Sequence, residues 1–123
     1  MEAFEHLEVW RRGVGLAKQV YAVADRVPDR ALADQLRRSS LSVPSNIAEG
    51  YERNTRPEFA RFVRLAKGSC GELRTQLILA VVTGQVQEQE VAAILDEARQ
   101  LSRMLGALLV ALTRRSGKPT SMR

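Results

Sequence analysis

The sequence has very few of the residues that most enzymes and metal sites need. It holds one cysteine, Cys70, and one histidine, His6. A structural zinc site takes four Cys or His ligands, and a lone cysteine cannot form an internal disulfide. A di-iron site in a helical bundle needs two Glu-x-x-His pairs, and the second histidine is missing. We therefore expect no metal site, no cofactor and no catalytic residues.

A catalytic pair of Cys70 and His6 is the one thiol arrangement that this composition allows. Cys70 falls on the apolar side of its predicted helix, where cysteine usually acts as a small hydrophobic residue. An activated thiol needs a polar, partly exposed setting instead. Phosphate-loop and dinucleotide-binding glycine motifs are also absent from the sequence. The sequence thus predicts a binding or scaffold protein and not an enzyme.

Long hydrophobic runs are missing as well. No stretch approaches the roughly 18 apolar residues of a transmembrane helix, and the N-terminal string MEAFEHLEVWRR does not have the layout of a signal peptide. We therefore expect a cytoplasmic protein that does not bind membranes. The 123 residues, 45% hydrophobic and 27% charged, suffice for one globular domain.

The net charge of +5 is unevenly distributed along the chain. The last ten residues, RRSGKPTSMR, include four basic residues and no acidic one, which leaves the rest of the chain almost neutral. We expect residues 1–113 to form one domain and residues 114–123 to form a basic, flexible tail. Binding of a polyanion by the domain must then depend on where its charges lie, not on their total.

Apolar residues recur at steps of three and four in four segments, and no segment has the alternation of a β-strand. The connections between segments are short, which places neighbouring helices antiparallel. The sequence therefore predicts an all-α, up-down-up-down four-helix bundle. The predicted bounds are His6 to Arg26 for the first helix, Asp29 (as cap) to Gly50–Asn54 for the second, Thr55 (as cap) to Gly84 for the third, and Glu88 to Thr113 for the fourth.

The first helix has more apolar surface than one bundle seam requires. Its main stripe, which includes Trp10 and Tyr21, keeps the three-four spacing of a helix that faces a core. A second apolar set, which includes Leu16 and Val20, lies about 110° around the helix. The surplus suggests that another subunit covers part of it. We take the main stripe as the bundle seam and assign Trp10, Leu16 and Val20 to the core or to a subunit interface.

The second helix contains the string LRRSSLSVPSNIAEG with Pro44 near its middle. Proline lacks a backbone donor and crowds the carbonyl four residues earlier, so we expect a helix that is distorted at Pro44, with nearby hydroxyls, an amide or water bonding that carbonyl. Short hydrogen-bonding groups, among them Ser42, Asn46 and Glu49, line one side. Two interpretations remain open: the serines allow close helix packing, or Asn46 and Glu49 organise a subunit or ligand contact.

One side of the third helix is almost purely basic when the residues are plotted at 100° each. Gly68 and Gly71 fall within this basic arc. Each costs up to about 1 kcal/mol relative to alanine in a helix, so we expect another helix, another subunit or a phosphate chain to approach closely there. The candidate nucleic-acid-binding residues are Arg56, Arg61, Arg64, Lys67 and Arg74 in this arc, with Arg37, Arg38 and Arg53 extending it.

Three interpretations of the basic arc remain open. It is a solvated surface, a binding site for a polyanion, or a binding site for an acidic protein. Only 5% of the residues are aromatic, which leaves no platform for stacking bases. Nucleic acid would therefore be held mainly through its phosphates.

These motifs resemble those of the four-helix-bundle family that includes the 23S rRNA intervening-sequence proteins. The match covers about residues 4–82, and the fourth helix is similar only in character. SVPSNIAEG is the most specific of the shared strings. In order, the strings are LEVW (7–10), QLRR (35–38), SVPSNIAEG (42–50), EFARF (58–62) and GSCGEL (68–73).

The resemblance implies a homo-oligomeric, pentameric bundle without enzymatic activity. Relatives in this family include the accessory variability determinants of diversity-generating retroelements, which act with a reverse transcriptase and its RNA. The implied partners are therefore further copies of the chain, an RNA or DNA backbone, and a reverse transcriptase. The alternative is a protein-interaction scaffold that binds no nucleic acid.

Overall fold

The structure is a computed structural model that describes residues 3–114. Within this range the chain contains a short 3₁₀ helix and four α-helices, and no strand, which confirms the predicted all-α fold. The basic tail predicted for residues 114–123 lies outside the described residues except for Arg114. The 3₁₀ helix is Ala3–His6, and the α-helices are α1 (Glu8–Ala24), α2 (Arg30–Glu52), α3 (Arg56–Val82) and α4 (Glu88–Thr113).

Each helix packs against its neighbours in the sequence, and α4 packs against α1 to close the bundle. Contacts between neighbouring helices pair rising residue numbers on one helix with falling numbers on the other. All adjacent helices are therefore antiparallel, as the short connections predict. The pairs are Gly13–Pro44 and Tyr21–Arg37, then Ser39–Gln76 and Ser42–Ser69, then Arg56–Ala111 and Lys67–Gly106, and finally Arg12–Glu97 and Arg26–Glu90.

The predicted caps set the ends of α2 and α3. The carboxylate of Asp29 accepts a bond of 3.2 Å from the backbone N–H of Leu32, and the hydroxyl of Thr55 accepts one of 3.3 Å from that of Glu58. Gly84 follows α3 with a φ of 76°, a left-handed conformation that glycine adopts without strain.

The side of α1 that faces the core is not the predicted one. Leu16 and Val20 are only 1% and 0% exposed, whereas Val14 and Tyr21 are 42% and 41% exposed. Trp10 is half-buried. Both stripes have a helical period, so the sequence alone could not decide which one the other helices cover. Leu16 and Val20 are therefore core residues. Val14 and Tyr21 of the predicted stripe lie at the outer edge of α1, whereas the half-buried Trp10 packs against the margin of the core.

A half-buried ion pair joins α1 to α4. The Arg12 guanidinium donates bonds of 2.8 and 2.7 Å to the Glu97 carboxylate and a third, of 2.8 Å, to the side-chain oxygen of Gln100. The hydrogen bonds to Glu97 raise the pKa of Arg12 above its ordinary value. This ion pair joins the first and the last α-helix of the chain.

The second helix passes through Pro44 without interruption. Pro44 is buried, and Gly13 of α1 lies so close that a Cβ there would be 3.4 Å from the proline ring. The Ser42 hydroxyl donates to the carbonyl of Ser39 at 2.9 Å, and the Asn46 amide donates to the carbonyl of Ser42 at 2.8 Å. These groups bond carbonyls other than the one that Pro44 crowds. Packing against α1 therefore holds the proline in the helix.

Small residues bring α2 close to α3. The hydroxyl of Ser42 bonds that of Ser69 across the interface, and Gly50 lies against Phe62. A Cβ added to Gly50 would be 2.5 Å from the Cβ of Phe62. These contacts support the interpretation that the serines of this stretch allow close helix packing.

Replacing Gly50 with alanine should lower the free energy of unfolding by about 1–3 kcal/mol. The added methyl group would meet the Cβ of Phe62, which is fixed to its backbone and cannot rotate away. Urea denaturation followed by circular dichroism measures the change. Gly68→Ala is the matched control: Gly68 is exposed with nothing within 4 Å of the added carbon, so its stability should be unchanged or up to about 1 kcal/mol higher. Equal stability of the two variants would contradict the close α2–α3 packing.

Candidate nucleic-acid interface

The eight candidate basic residues do not form one surface. Arg37 lies on the side of α2 that faces α1, where it forms ion pairs of 2.8 Å with Asp25 and 3.2 Å with Asp34. Its guanidinium also stands 6.0 Å from the centre of the Tyr21 ring. Arg37 therefore joins the first two helices, away from the basic arc of α3.

Three more of the candidates are bonded within the chain. Arg53 and Arg61 share the carboxylate of Glu58, at 3.4 and 3.2 Å, and their guanidinium groups lie 4.9 and 4.5 Å from the centre of the Phe62 ring. Arg56 donates a bond of 2.7 Å to the carbonyl of Ala111 and so ties the start of α3 to the end of α4. These contacts give all three arginines a structural role.

The other four candidates are Arg38, Arg64, Lys67 and Arg74, and none of them has an ion pair with another residue of the described range 3–114. Arg38 is exposed on α2. The other three lie on the outer side of α3, where Arg64 and Lys67 are exposed and Arg74 is half-buried. Nucleic-acid contact through them stays a prediction.

Gly68 and Gly71 leave the backbone of α3 bare between these cations. Gly68 is exposed, Gly71 is half-exposed, and no atom lies within 4 Å of a Cβ built on either residue. The sequence predicts that another group packs closely against these glycines. No described part of this chain does so. The space above them is open to a partner.

Two arginines of α4 enlarge the basic surface, and the sequence analysis missed both. A Cβ on Gly106 would be 3.3 Å from Cε of Lys67, which places this side of α4 beside the basic side of α3. Arg103 and Arg99 precede Gly106 by three and seven residues and so lie on the same side of α4. Both are exposed and have no ion pair within residues 3–114.

We call the set Arg64, Lys67, Arg74, Arg99 and Arg103 the α3/α4 basic face. Because the helices are antiparallel, Arg74 lies opposite Arg99 just as Lys67 lies opposite Gly106. A charge plot of α4 alone would have shown two exposed arginines. The plot could not have shown that these arginines lie beside α3, because the packing of α4 against α3 depends on the tertiary structure.

A shallow cleft between α2 and α3 borders this face. Gly68 and Ser69 contribute to its floor, and Asn46, Arg64 and Glu72 contribute to its rim. The Asn46 amide bonds within α2, as described above, and Glu49 pairs with Arg53 at 3.1 Å. Asn46 and Glu49 are thus bonded inside α2, and the contact with another subunit or ligand proposed for them stays a prediction.

Exposed apolar side chains form two groups, and Leu65 of α3 and Val110 of α4 are exposed outside them. The first, the α1/α2 apolar patch, consists of Trp10, Val14, Ala17 and Tyr21 of α1 with Leu41 of α2, which is 49% exposed. The second lies at the C-terminal end of α3, where Ile78, Leu79 and Val82 are 46%, 47% and 75% exposed. Exposed apolar residues that cluster in this way often mark contact with another protein.

The described residues hold no group of three or more His, Cys, Asp or Glu side chains that could bind a metal ion. Cys70 is fully buried, and desolvation raises the pKa of its thiol to about 11, although the nearby charges of Arg74 and Lys67 act in the opposite direction. None of the helices in residues 3–114 has the length and apolar character needed to span a bilayer.

The fold and these surfaces define a small antiparallel four-helix bundle with a basic face and exposed apolar patches. The profile of the 23S rRNA-intervening sequence protein family matches residues 5–107, which is most of the chain. The chain therefore belongs to the 23S rRNA-intervening sequence protein family, which confirms the resemblance of its motifs.

A solved structure shows the same fold. It is the 1.70 Å crystal structure of a protein of unknown function from the S23 ribosomal protein family of Bacteroides thetaiotaomicron VPI-5482. It superposes with a TM-score of 0.76 and 18% sequence identity, covering 82% of this chain and 97% of the other. A search of curated proteins finds no match.

The Cys70 thiol should be unreactive in the folded protein. With a pKa of about 11, roughly one thiol in a thousand is ionised at pH 8, and the side chain is also inaccessible. Reaction with Ellman's reagent at pH 8 should be slow in buffer and fast after unfolding in urea. Fast stoichiometric labelling of the native protein would contradict this account of Cys70.

Proposed function

We propose that this protein is a homo-oligomeric, nucleic-acid-binding adaptor without catalytic activity of its own. The observation that carries the proposal is the α3/α4 basic face. There, five cations lie on two helices next to a bare stretch of α3 backbone at Gly68 and Gly71, whereas other arginines, such as Arg37 and Arg53, are neutralised by acids of the same chain. An uncompensated basic surface with open backbone suits phosphate groups.

RNA is the nucleic acid we favour, because the family is named for the intervening sequence of 23S rRNA. The resemblance of the sequence motifs implies a reverse transcriptase as a protein partner, and we include it in the proposal. The proposed location is the cytoplasm.

Self-association is the second part of the proposal, and the α1/α2 apolar patch supports it. Trp10, Val14, Tyr21 and Leu41 present apolar surface to solvent on adjacent helices. Contact with another subunit would remove this surface from water. The resemblance of the sequence motifs favours a pentamer.

A protein-interaction scaffold that binds no nucleic acid is the second candidate function. The exposed side chains of Ile78, Leu79 and Val82 favour it, because they form an apolar end on the same helix as the basic residues. An acidic partner with an apolar segment could contact both the basic residues of α3 and the apolar residues at its C-terminal end. A partner that stays bound to the immobilised protein after nuclease treatment would favour this candidate.

Reversing two charges of the basic face should strongly weaken RNA binding. We expect Arg64→Glu/Lys67→Glu to weaken binding of a labelled RNA hairpin by on the order of a hundredfold or more at 0.1 M salt, because phosphate contacts are lost and repulsion is added. Fluorescence anisotropy in a salt series measures the effect. The control is Arg30→Glu/Arg114→Glu, an equal charge change at exposed positions at the start of α2 and just after α4. Absence of RNA binding by the unaltered protein at low salt would refute the nucleic-acid proposal.

Acidic substitutions in the α1/α2 apolar patch should dissociate the oligomer. Val14→Glu/Tyr21→Glu places two charges where we propose a subunit contact, and neither side chain is in the core of one chain. Light scattering at micromolar concentration should show an oligomer for the unaltered protein and a monomer for the variant. Ala22→Glu, at an exposed position of α1 outside the patch, should leave the oligomer intact. A stable monomer before any substitution would argue against self-association.

A further inference from the structure

The α3/α4 basic face is built from two rows of cations on different helices. Lys67 and Arg74 are seven residues apart on α3, which is about 10 Å along the helix. Arg103 and Arg99 form the facing row on α4, and the axes of packed helices lie roughly 8–10 Å apart. A single row can follow one chain of phosphates. Two facing rows present cations to two chains of phosphates at once.

No aromatic side chain of the described residues lies on this face. Proteins that hold single strands usually stack the unpaired bases on aromatic rings. Here the rings are engaged in contacts elsewhere in the bundle, so unpaired bases have nothing to stack on between the two rows. Phe4 contacts Trp10, Tyr51 contacts Phe59, Phe62 lies beneath Arg53 and Arg61, and Tyr21 lies beneath Arg37.

The side of the α3 row that faces away from α4 is low and unobstructed. Gly68 and Gly71 lie there, and no neighbouring atom is within 4 Å of their missing Cβ positions, so a strand held by this row can approach the helix backbone itself. Asp96, three residues before Arg99, marks the end of the α4 row, since its carboxylate would repel phosphate. Gln100 donates a bond of 2.7 Å to that carboxylate. On α4 the basic face therefore ends at Asp96.

We propose that the α3/α4 basic face binds the backbone of a nucleic-acid duplex, with Lys67 and Arg74 at the phosphates of one strand and Arg99 and Arg103 at those of the other. This inference rests on the proposed nucleic-acid-binding function and adds the strandedness of the ligand and the two α4 arginines. Recognition would depend on the shape and charge of the duplex and not on its base sequence.

The test compares a short RNA duplex, each of its separate strands and a DNA duplex of the same sequence by fluorescence anisotropy in a salt series. Two variants remove one row each without adding repulsion: Lys67→Gln/Arg74→Gln for α3 and Arg99→Gln/Arg103→Gln for α4. The matched control is Arg30→Gln/Arg114→Gln, at exposed positions away from both rows. Thermal unfolding of each variant confirms that the bundle is intact.

We expect the RNA duplex to bind at least about tenfold more tightly than either strand. Each row variant should make the plot of the logarithm of the binding constant against the logarithm of the salt concentration less steep by about 1.8, because two phosphate contacts are lost. It should also weaken duplex binding by tens of fold at 0.1 M salt. The control should change neither quantity. A different result would be an RNA duplex that binds no more tightly than its separate strands, together with a DNA duplex that binds more tightly than they do. This result would support the two-row arrangement and identify DNA as its ligand.

Two results would overturn the inference while the proposed function stands. One is binding of single strands as tight as that of both duplexes, which would remove the duplex as the ligand. The other is an unchanged salt slope for the α4 variant together with a reduced slope for the α3 variant, which would remove the second row. Absence of binding to every probe would instead refute the proposed function itself.

Discussion

The bundle depends on how closely α2 can approach the helices on either side of it. On one side Gly13 of α1 leaves room for Pro44, and on the other Gly50 lets the backbone of α2 lie against Phe62. Serine hydroxyls complete the second contact, since Ser42 meets Ser69. A proline inside a helix is tolerated when neighbours enclose it, and here the neighbour is a glycine. Close helix packing thus accounts for Ser42, Pro44 and Gly50 of the string SVPSNIAEG.

The charge of this protein is better understood from its ion pairs than from its total. Arg37, Arg53 and Arg61 are bonded to carboxylates, and Arg56 is bonded to a backbone carbonyl. The five cations of the α3/α4 basic face have no ion pair within residues 3–114. A nearly neutral domain can therefore have one strongly basic face, because its acids are used elsewhere.

Much of the fold could be predicted because each helix has its own periodicity and caps, such as Asp29 and Thr55, which depend on local sequence alone. The predictions that were wrong or incomplete concern which residues of different helices lie next to each other. On α1 two stripes satisfied the same period, and only packing shows that Leu16 faces the core while Val14 does not. Likewise Arg99 and Arg61 look alike in a sequence, but Arg99 lies opposite Arg74 of α3, whereas Arg61 is paired with Glu58. Such facts depend on tertiary contacts that a single helix does not encode.

The ion pair between Arg12 and Glu97 has a consequence for how the bundle moves. The contact between α1 and α4 is the sparsest of those between adjacent helices, and a groove lined by Gly15 and Ala93 runs beside the pair. Separating these helices breaks fewer contacts than separating α2 from α3, and local opening begins where least contact is lost. Partial opening of the monomer should therefore begin where the first and last helices meet, and the ion pair of Arg12 with Glu97 is the contact that opposes it.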